Sequence, residues 1–310
     1  MRMVACRSMP RISFTRMMDD AERRGYAAGY FESWNMESLL AVADAAEAAR
    51  SPVILGFSGI ALPHPARTVK EHLADYYALG AAVCDRLPVP ACLLFNESAR
   101  FEWVAEAVRL GFGLVMFTDE ELAYADQVAQ VRRVSDIAHA AGAASEGEMD
   151  SLPGVAGTLH VPPPDSPLTD PEKAREFVHA TEVDSLAISV GQVHLHGRSP
   201  VRLDLSRVTA LKAAVTAPLV LHGATSVARA DLAQAVHRGV RKINVGSILK
   251  QTFFEAMRAA GARAGDAYNP YEVIGSGVPQ DVMAAGRAAM QKVVQEYMEL
   301  FGSAQKAVGF

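Results

Sequence analysis

The stretch Pro218–Ser247, PLVLHGATSVARADLAQAVHRGVRKINVGS, decides how the rest of the chain is read. An apolar run, Leu219 to Leu221, stops at His222 and a Gly-containing turn. Leu232, Ala235, Val236 and Val240 then recur at helical spacing, and a second apolar run ends at Asn244. That is one strand, loop, helix, strand unit. In a parallel α/β sheet the C-terminal strand ends are where ligands bind, because the loops converge there and helix N-termini point positive partial charge into the space. The two ends offer different chemistry. His222 carries an imidazole that can hold a metal or serve as a hydrogen-bonded structural residue. Asn244, Gly246 and Ser247 supply an amide, bare backbone and a hydroxyl suited to a phosphate or another polar ligand.

Working outward, apolar runs predict strands at 27–31, 53–57, 91–95, 114–117, 143–146, 186–190, 219–221 and 243–245. Amphipathic segments predict helices at 36–50, 68–86, 102–110, 126–141, 171–181 and 206–215. Eight strands in alternation with helices predict a (β/α)8 TIM barrel, because right-handed crossovers leave few other arrangements. An open doubly wound sheet is the alternative, but no GxGxxG follows the first strand. We expect one domain over 1–310, with a barrel core at 14–249 and a C-terminal helical extension at 250–310. The extension is expected to pack across the outside of the barrel or against a neighbouring subunit. The Pro- and Gly-rich stretch 151–171 reads either as a lid on the active-site side or as a surface excursion.

Composition sets the outer bounds. Of 310 residues 50% are hydrophobic and 21% charged, with a net charge of −5, so the core is ample and neither nucleic acid nor an anionic membrane is expected as partner. No run is long enough to span a bilayer, and the N-terminus lacks a sustained apolar signal core. Cys6, Cys84 and Cys92 form no CxxC pair, which suits a reduced, cytoplasmic protein.

Polar residues at the predicted C-terminal strand ends are the only ones able to share a pocket. They are Glu32 and Asn35, Ser58, Asn96 and Glu97, Thr118, Asp119 and Glu120, Glu146 and Glu148, His194 and His196, His222, then Asn244 and Ser247. Two imidazoles from adjacent strands plus a carboxylate make a plausible three-ligand site for a divalent cation with an open position. His64, His72, His160 and His196 are expected to be surface or structural residues.

The blocks RGYAAGYFESWNMESLLAVADAAEAARSPVIL, GQVHLHGR, LVLHGATS, RKINVGS and ELFGSAQKA, in that order, resemble the class II, metal-dependent ketose-bisphosphate aldolases, of the fructose- and tagatose-bisphosphate kind. The resemblance runs from about Phe14 to Ala307. It implies His194 and His222 as metal ligands, Asn244 against the dihydroxyacetone phosphate half of the substrate, and Gly223, Thr225, Gly246, Ser247 and Arg198 around phosphate. Glu148 matches a carboxylate near the metal.

The family's third strand ends in Asp-His-Gly, where the Asp handles protons and the His is the third ligand; here the run is Phe95-Asn96-Glu97-Ser98. Asn96 has no useful pKa, whereas Glu97 can bind a metal through oxygen. A His2Glu set suits zinc foremost, with manganese, iron or magnesium admitted. Leu195 stands where the family has Gly, and Asp165 is the only carboxylate between Ser151 and Leu168. Proton transfer would therefore fall to Glu148, Glu146 or Glu120.

The expected activity is carbon–carbon cleavage or formation in a phosphorylated or acidic ketose through a metal-stabilised enediolate, by a homodimer or homotetramer. Isomerisation or decarboxylation on the same scaffold, or a non-catalytic ligand-binding barrel, are the alternatives.

Overall fold

The computed structural model describes residues 11–150, 152, 167–193 and 200–310. Eight parallel strands close in sequence order into a barrel: β1 (Ala28–Phe31), β2 (Val53–Ser58), β3 (Ala91–Ser98), β4 (Leu114–Phe117), β5 (Ala144–Glu148), β6 (Ser185–Ala187), β7 (Leu219–Leu221) and β8 (Val240–Val245). Closure is made by β1 against β8, with Tyr30 opposite Asn244. The surrounding helices are α1 (Phe14–Arg24), α2 (Met36–Ala49), α3 (Leu73–Arg86), α4 (Phe101–Leu110), α5 (Tyr124–Ala140), α6 (Pro171–Thr181), α7 (Leu205–Ala214), α8 (Arg229–His237), α9 (Ser247–Ala264), α10 (Pro270–Val273) and α11 (Val282–Leu300). Among the described residues no helix is long and apolar enough to cross a membrane.

Strand side chains alternate between two layers, as the pleat requires. Val53, Leu55, Phe57, Leu93, Phe95 and Val115 belong to the larger core shared with the helices. Their neighbours Ile54, Cys92, Leu94 and Leu114 gather with Ala28, Tyr30 and Ala144 in a second cluster. That cluster is completed by Phe14, Met17, Met18 and Ala21 of α1 and by Tyr26, so α1 plugs one end of the barrel. The sequence expectations contain no such helix, yet its limits are written locally: Ser13 accepts a hydrogen bond from the Arg16 amide, and Gly25 ends the helix at φ +67°. Asp20 is tied to Arg23, Arg24 and the Tyr26 hydroxyl, which fixes the entry into β1.

At the other end of the chain α11 packs on α2 and α9, outside the barrel, with Arg287 paired to Asp44 at 2.6 Å. The expected 68–86 helix begins only at Leu73. The expected 186–190 strand shifts to Ser185–Ala187, because Gln192 folds back onto the Val190 amide and the Ile188 carbonyl and turns the chain out of the sheet. Residues 151 and 153–166 of the expected lid fall outside the described residues.

Candidate active site

β7 ends at Leu221, and the next side chain, His222, is buried at the barrel mouth. Its Nδ1 lies 2.9 Å from Glu97 Oε1 and its Nε2 lies 2.9 Å from Glu146 Oε1. Three strands therefore meet on one imidazole. Glu97 reaches it through an irregular backbone. A regular strand would send Asn96 and Glu97 to opposite faces, but the β3–β4 pairing shifts register between Phe95 and Ser98, and Glu97 adopts φ +51°. Both residues consequently line the pocket, and the Asn96 amide donates to Glu97 Oε2 at 2.6 Å. A left-handed backbone at a non-glycine residue is uncommon and collects at functional sites.

Beneath the pocket lies a buried ion pair. Lys242 on β8 places Nζ 2.9 Å from Glu146 and donates to Asn244 Oδ1 at 2.7 Å. Ser185 donates to the second oxygen of Glu146. Burial alone pushes the Glu146 carboxyl up, but Lys242 and then His222 outweigh it and hold the group down at about 2. The imidazole is treated in the opposite sense. Burial opposes its charge, while Glu97 first and Glu146 next favour it, raising His222 to about 10. Glu148 is buried, with the Thr118 hydroxyl at 3.3 Å and His222 Nδ1 at 4.0 Å, and burial pushes its carboxyl up to about 8. The three carboxylates around His222 are thus unlike: Glu146 is held towards its ionised form, Glu148 is pushed towards its protonated form, and Glu97 faces the pocket.

Two of these donors could serve a cation: Glu146 holds Nε2 of His222 as a carboxylate holds the far nitrogen of a metal-bound histidine, which leaves Nδ1 and Glu97 facing each other at the mouth. Among the described residues no three His, Cys, Asp or Glu side chains complete a metal-binding group. His222 and Glu97 supply two donors, and the third expected ligand, His194, lies outside the described residues, as does Arg198.

The model of the class II fructose-bisphosphate aldolases matches residues 12–306. The chain belongs to that family. Among solved structures, the YdjI aldolase from Escherichia coli K12 is similar at 26% identity with a TM-score of 0.78, over 96% of this chain and 100% of that one. A putative fructose-1,6-bisphosphate aldolase from Coccidioides immitis is similar at 25% identity and TM-score 0.78, over 95% of this chain and 97% of its own. The fructose-bisphosphate aldolase of Campylobacter jejuni shares the fold at 20% identity and TM-score 0.75, over 99% of both chains. An aldolase-like enzyme on a TIM barrel is therefore the setting in which each side chain is placed.

Of the residues expected from sequence, Asn96, Glu97, His222, Gly223, Thr225, Asn244, Gly246 and Ser247 line one pocket. Gly223 is at φ +66°, and a Cβ there would collide with the Val193 carbonyl oxygen, so the turn after His222 requires glycine. Glu146 sits inside β5 and below the mouth, locked by Lys242, so it orients His222 and has no proton to give; Glu120 is exposed on the turn after β4. Asn35 caps α2 and Ser58 holds the Ile60 and Ala61 amides, both structural duties. His64 and His72 are exposed, while His160 and His196 lie outside the described residues. Lys242 and Tyr30 are site residues absent from the sequence expectations. Lys242 could have been found by parity: in RKINV it shares a strand face with Asn244, two residues on.

Proposed function

We propose that this chain is a metal-dependent aldolase-like lyase that makes or breaks a carbon–carbon bond in a phosphorylated or otherwise acidic ketose. The convergence of Glu97, His222 and Glu146 at the mouth of an aldolase-family barrel carries this reading. His222 Nδ1 and Glu97 are the described side chains that would hold the cation, with His194 as the further ligand. When bound, such a cation supplies Lewis-acid polarisation of a ketone oxygen and stabilisation of the enediolate left by loss of the adjacent proton or carbon.

The chain's own residues set the rest. Glu146, anchored by Lys242, keeps the imidazole ring oriented. Asn96 and Asn244 offer amides to substrate hydroxyls, and Asn96 holds one oxygen of Glu97 in place. Glu148, whose carboxyl is pushed up by burial and steadied by Thr118, is the proton carrier in this proposal, the role Asn96 is chemically unable to take.

Incubation of the chain with zinc and a panel of phosphorylated and acidic ketoses is expected to release a carbonyl fragment. A chelator is expected to abolish that release, and Glu97→Ala to lower the zinc retained after dialysis. Full retention of zinc by Glu97→Ala, or cleavage indifferent to chelator, would remove the basis of this reading. Glu148→Gln is expected to lower kcat while leaving zinc content unchanged.

A further inference from the structure

The wall of the pocket between β1 and the start of α9 carries a negative charge where the sequence reading expects a phosphate. Glu32, the residue after β1, lines the pocket together with Gly246 and Ser247. Its Oε2 stands 2.6 Å from where a Cβ at Gly246 would be, so the carboxylate packs directly on the glycine that opens α9. α9 runs for 18 residues, and its N-cap, Gly246, brings no side chain of its own. The positive end of a helix that long attracts an anion, and here the protein supplies one from β1.

The partner of Glu32 does not reverse this. Lys250 pairs with Oε1 at 2.7 Å, but its side chain is 49% exposed against 16% for Glu32, and it is the carboxylate, not the ammonium, that faces the cavity. The one cationic side chain among the described lining residues is His222, already answered by Glu97 and Glu146. The rest of this wall is hydrogen-bonding and uncharged: Asn244, Ser247 and Tyr30, whose buried hydroxyl has no hydrogen-bond partner among the described residues. A carboxylate beside amide and hydroxyl groups suits sugar hydroxyls, which donate to the acid and accept from the amides. A phosphate dianion there would face like charge at close range, a repulsion that the half-exposed Lys250 offsets only in part.

We propose that Glu32 is a specificity-determining residue that makes this wall a subsite for an unphosphorylated, hydroxyl-ended fragment such as a dihydroxyacetone unit, leaving any phosphate or acid of the substrate on its other half. The inference rests on the aldolase reading above and narrows its substrate class.

The test is calorimetric titration of the full-length, zinc-supplied chain with two probes, dihydroxyacetone and dihydroxyacetone phosphate. The unmodified chain is expected to bind dihydroxyacetone at least as tightly as its phosphate. Glu32→Gln is expected to tighten the phosphate probe by about tenfold, on the scale of one removed like charge, while dihydroxyacetone changes by less than about threefold. Lys250→Met, which keeps the carboxylate and removes its partner, is expected to move the phosphate probe in the opposite direction. Tighter binding of the phosphate probe to the unmodified chain, indifferent to Glu32→Gln, overturns this inference and leaves chelator-sensitive cleavage standing. Binding of neither probe to either protein, with no cleavage, overturns both.

Discussion

The two ends of the barrel interior are lined by the same strands and obey opposite rules. On β3, Cys92 and Leu94 belong to the apolar plug, and Asn96, two residues further on, belongs to the pocket. On β5, Ala144 is in the plug while Glu146 and Glu148 lie under and beside His222. Facing direction is the same throughout; distance along the strand decides whether a side chain packs or carries charge. At the plug end α1 fills the space with Phe14, Met17 and Met18, so stability there is a matter of volume. At the mouth it is a matter of pairing, since each buried charge is tolerable only with its partner in place.

The sharpest way to break this contrast is to remove one partner at the mouth. Glu146→Leu leaves the buried Lys242 with the Asn244 side-chain oxygen and the Tyr30 ring in place of a charged partner, and we expect a loss of about 3–5 kcal/mol in denaturant unfolding. Adding Lys242→Met should recover most of that loss, because a buried pair replaced by apolar groups of similar volume is near neutral. If single and double variants unfold alike, pairing is not what governs this end. At the plug, Met17→Ala removes volume and no charge. A loss of about 2–5 kcal/mol is expected there, with zinc content and probe binding unchanged in the folded protein.

The difference between the ends also explains what the sequence could tell. The apolar runs 114–117 and 219–221 and the amphipathic helix 171–181 coincide with the observed elements. His222 and Asn244 were legible because each ends an apolar run. Glu97 was legible as a residue and not as a geometry, since its φ of +51° depends on a register shift that no local pattern announces. β5 runs two residues past its expected end, which carries Glu146 below the mouth, and the burial of Glu146 depends on Lys242, a contact across 96 positions. α1 precedes the first strand, so the alternation of strands and helices carries no signal for it.

Titration separates the ends more gently. In chelator, His222 has a folded value of about 10, above its ordinary 6.5, so the folded protein binds more protons and stability falls as pH rises from 6.5 towards 10. Glu148, at about 8 against an ordinary 4.5, acts in the same direction between those values. Glu146, held at about 2, acts oppositely, and its contribution is lost as pH falls from 4.5. Each group contributes at most about 1.4 kcal/mol per pH unit. Glu148→Gln should flatten the slope between pH 5 and 8, whereas Met17→Ala should lower the whole curve without changing its shape. A slope that survives Glu148→Gln intact would mean that Glu148 is ionised in the folded state.

The smallest effect lies at the start of the plug. Ser13 is exposed and touches neither the core nor the pocket, and its part is to accept a hydrogen bond from the Arg16 amide at 3.3 Å, which begins α1. Ser13→Ala should cost about 1 kcal/mol, the usual value of an N-cap, and Ser13→Asp should restore it, since an acid at a helix N-terminus both caps and complements the helix dipole. The readout is the denaturant midpoint, with zinc retention as control. Because α1 fills the barrel from the end opposite the site, a loss of zinc in Ser13→Ala larger than its loss of stability would show that plug and mouth are coupled, and the division between packing and pairing would have to be withdrawn.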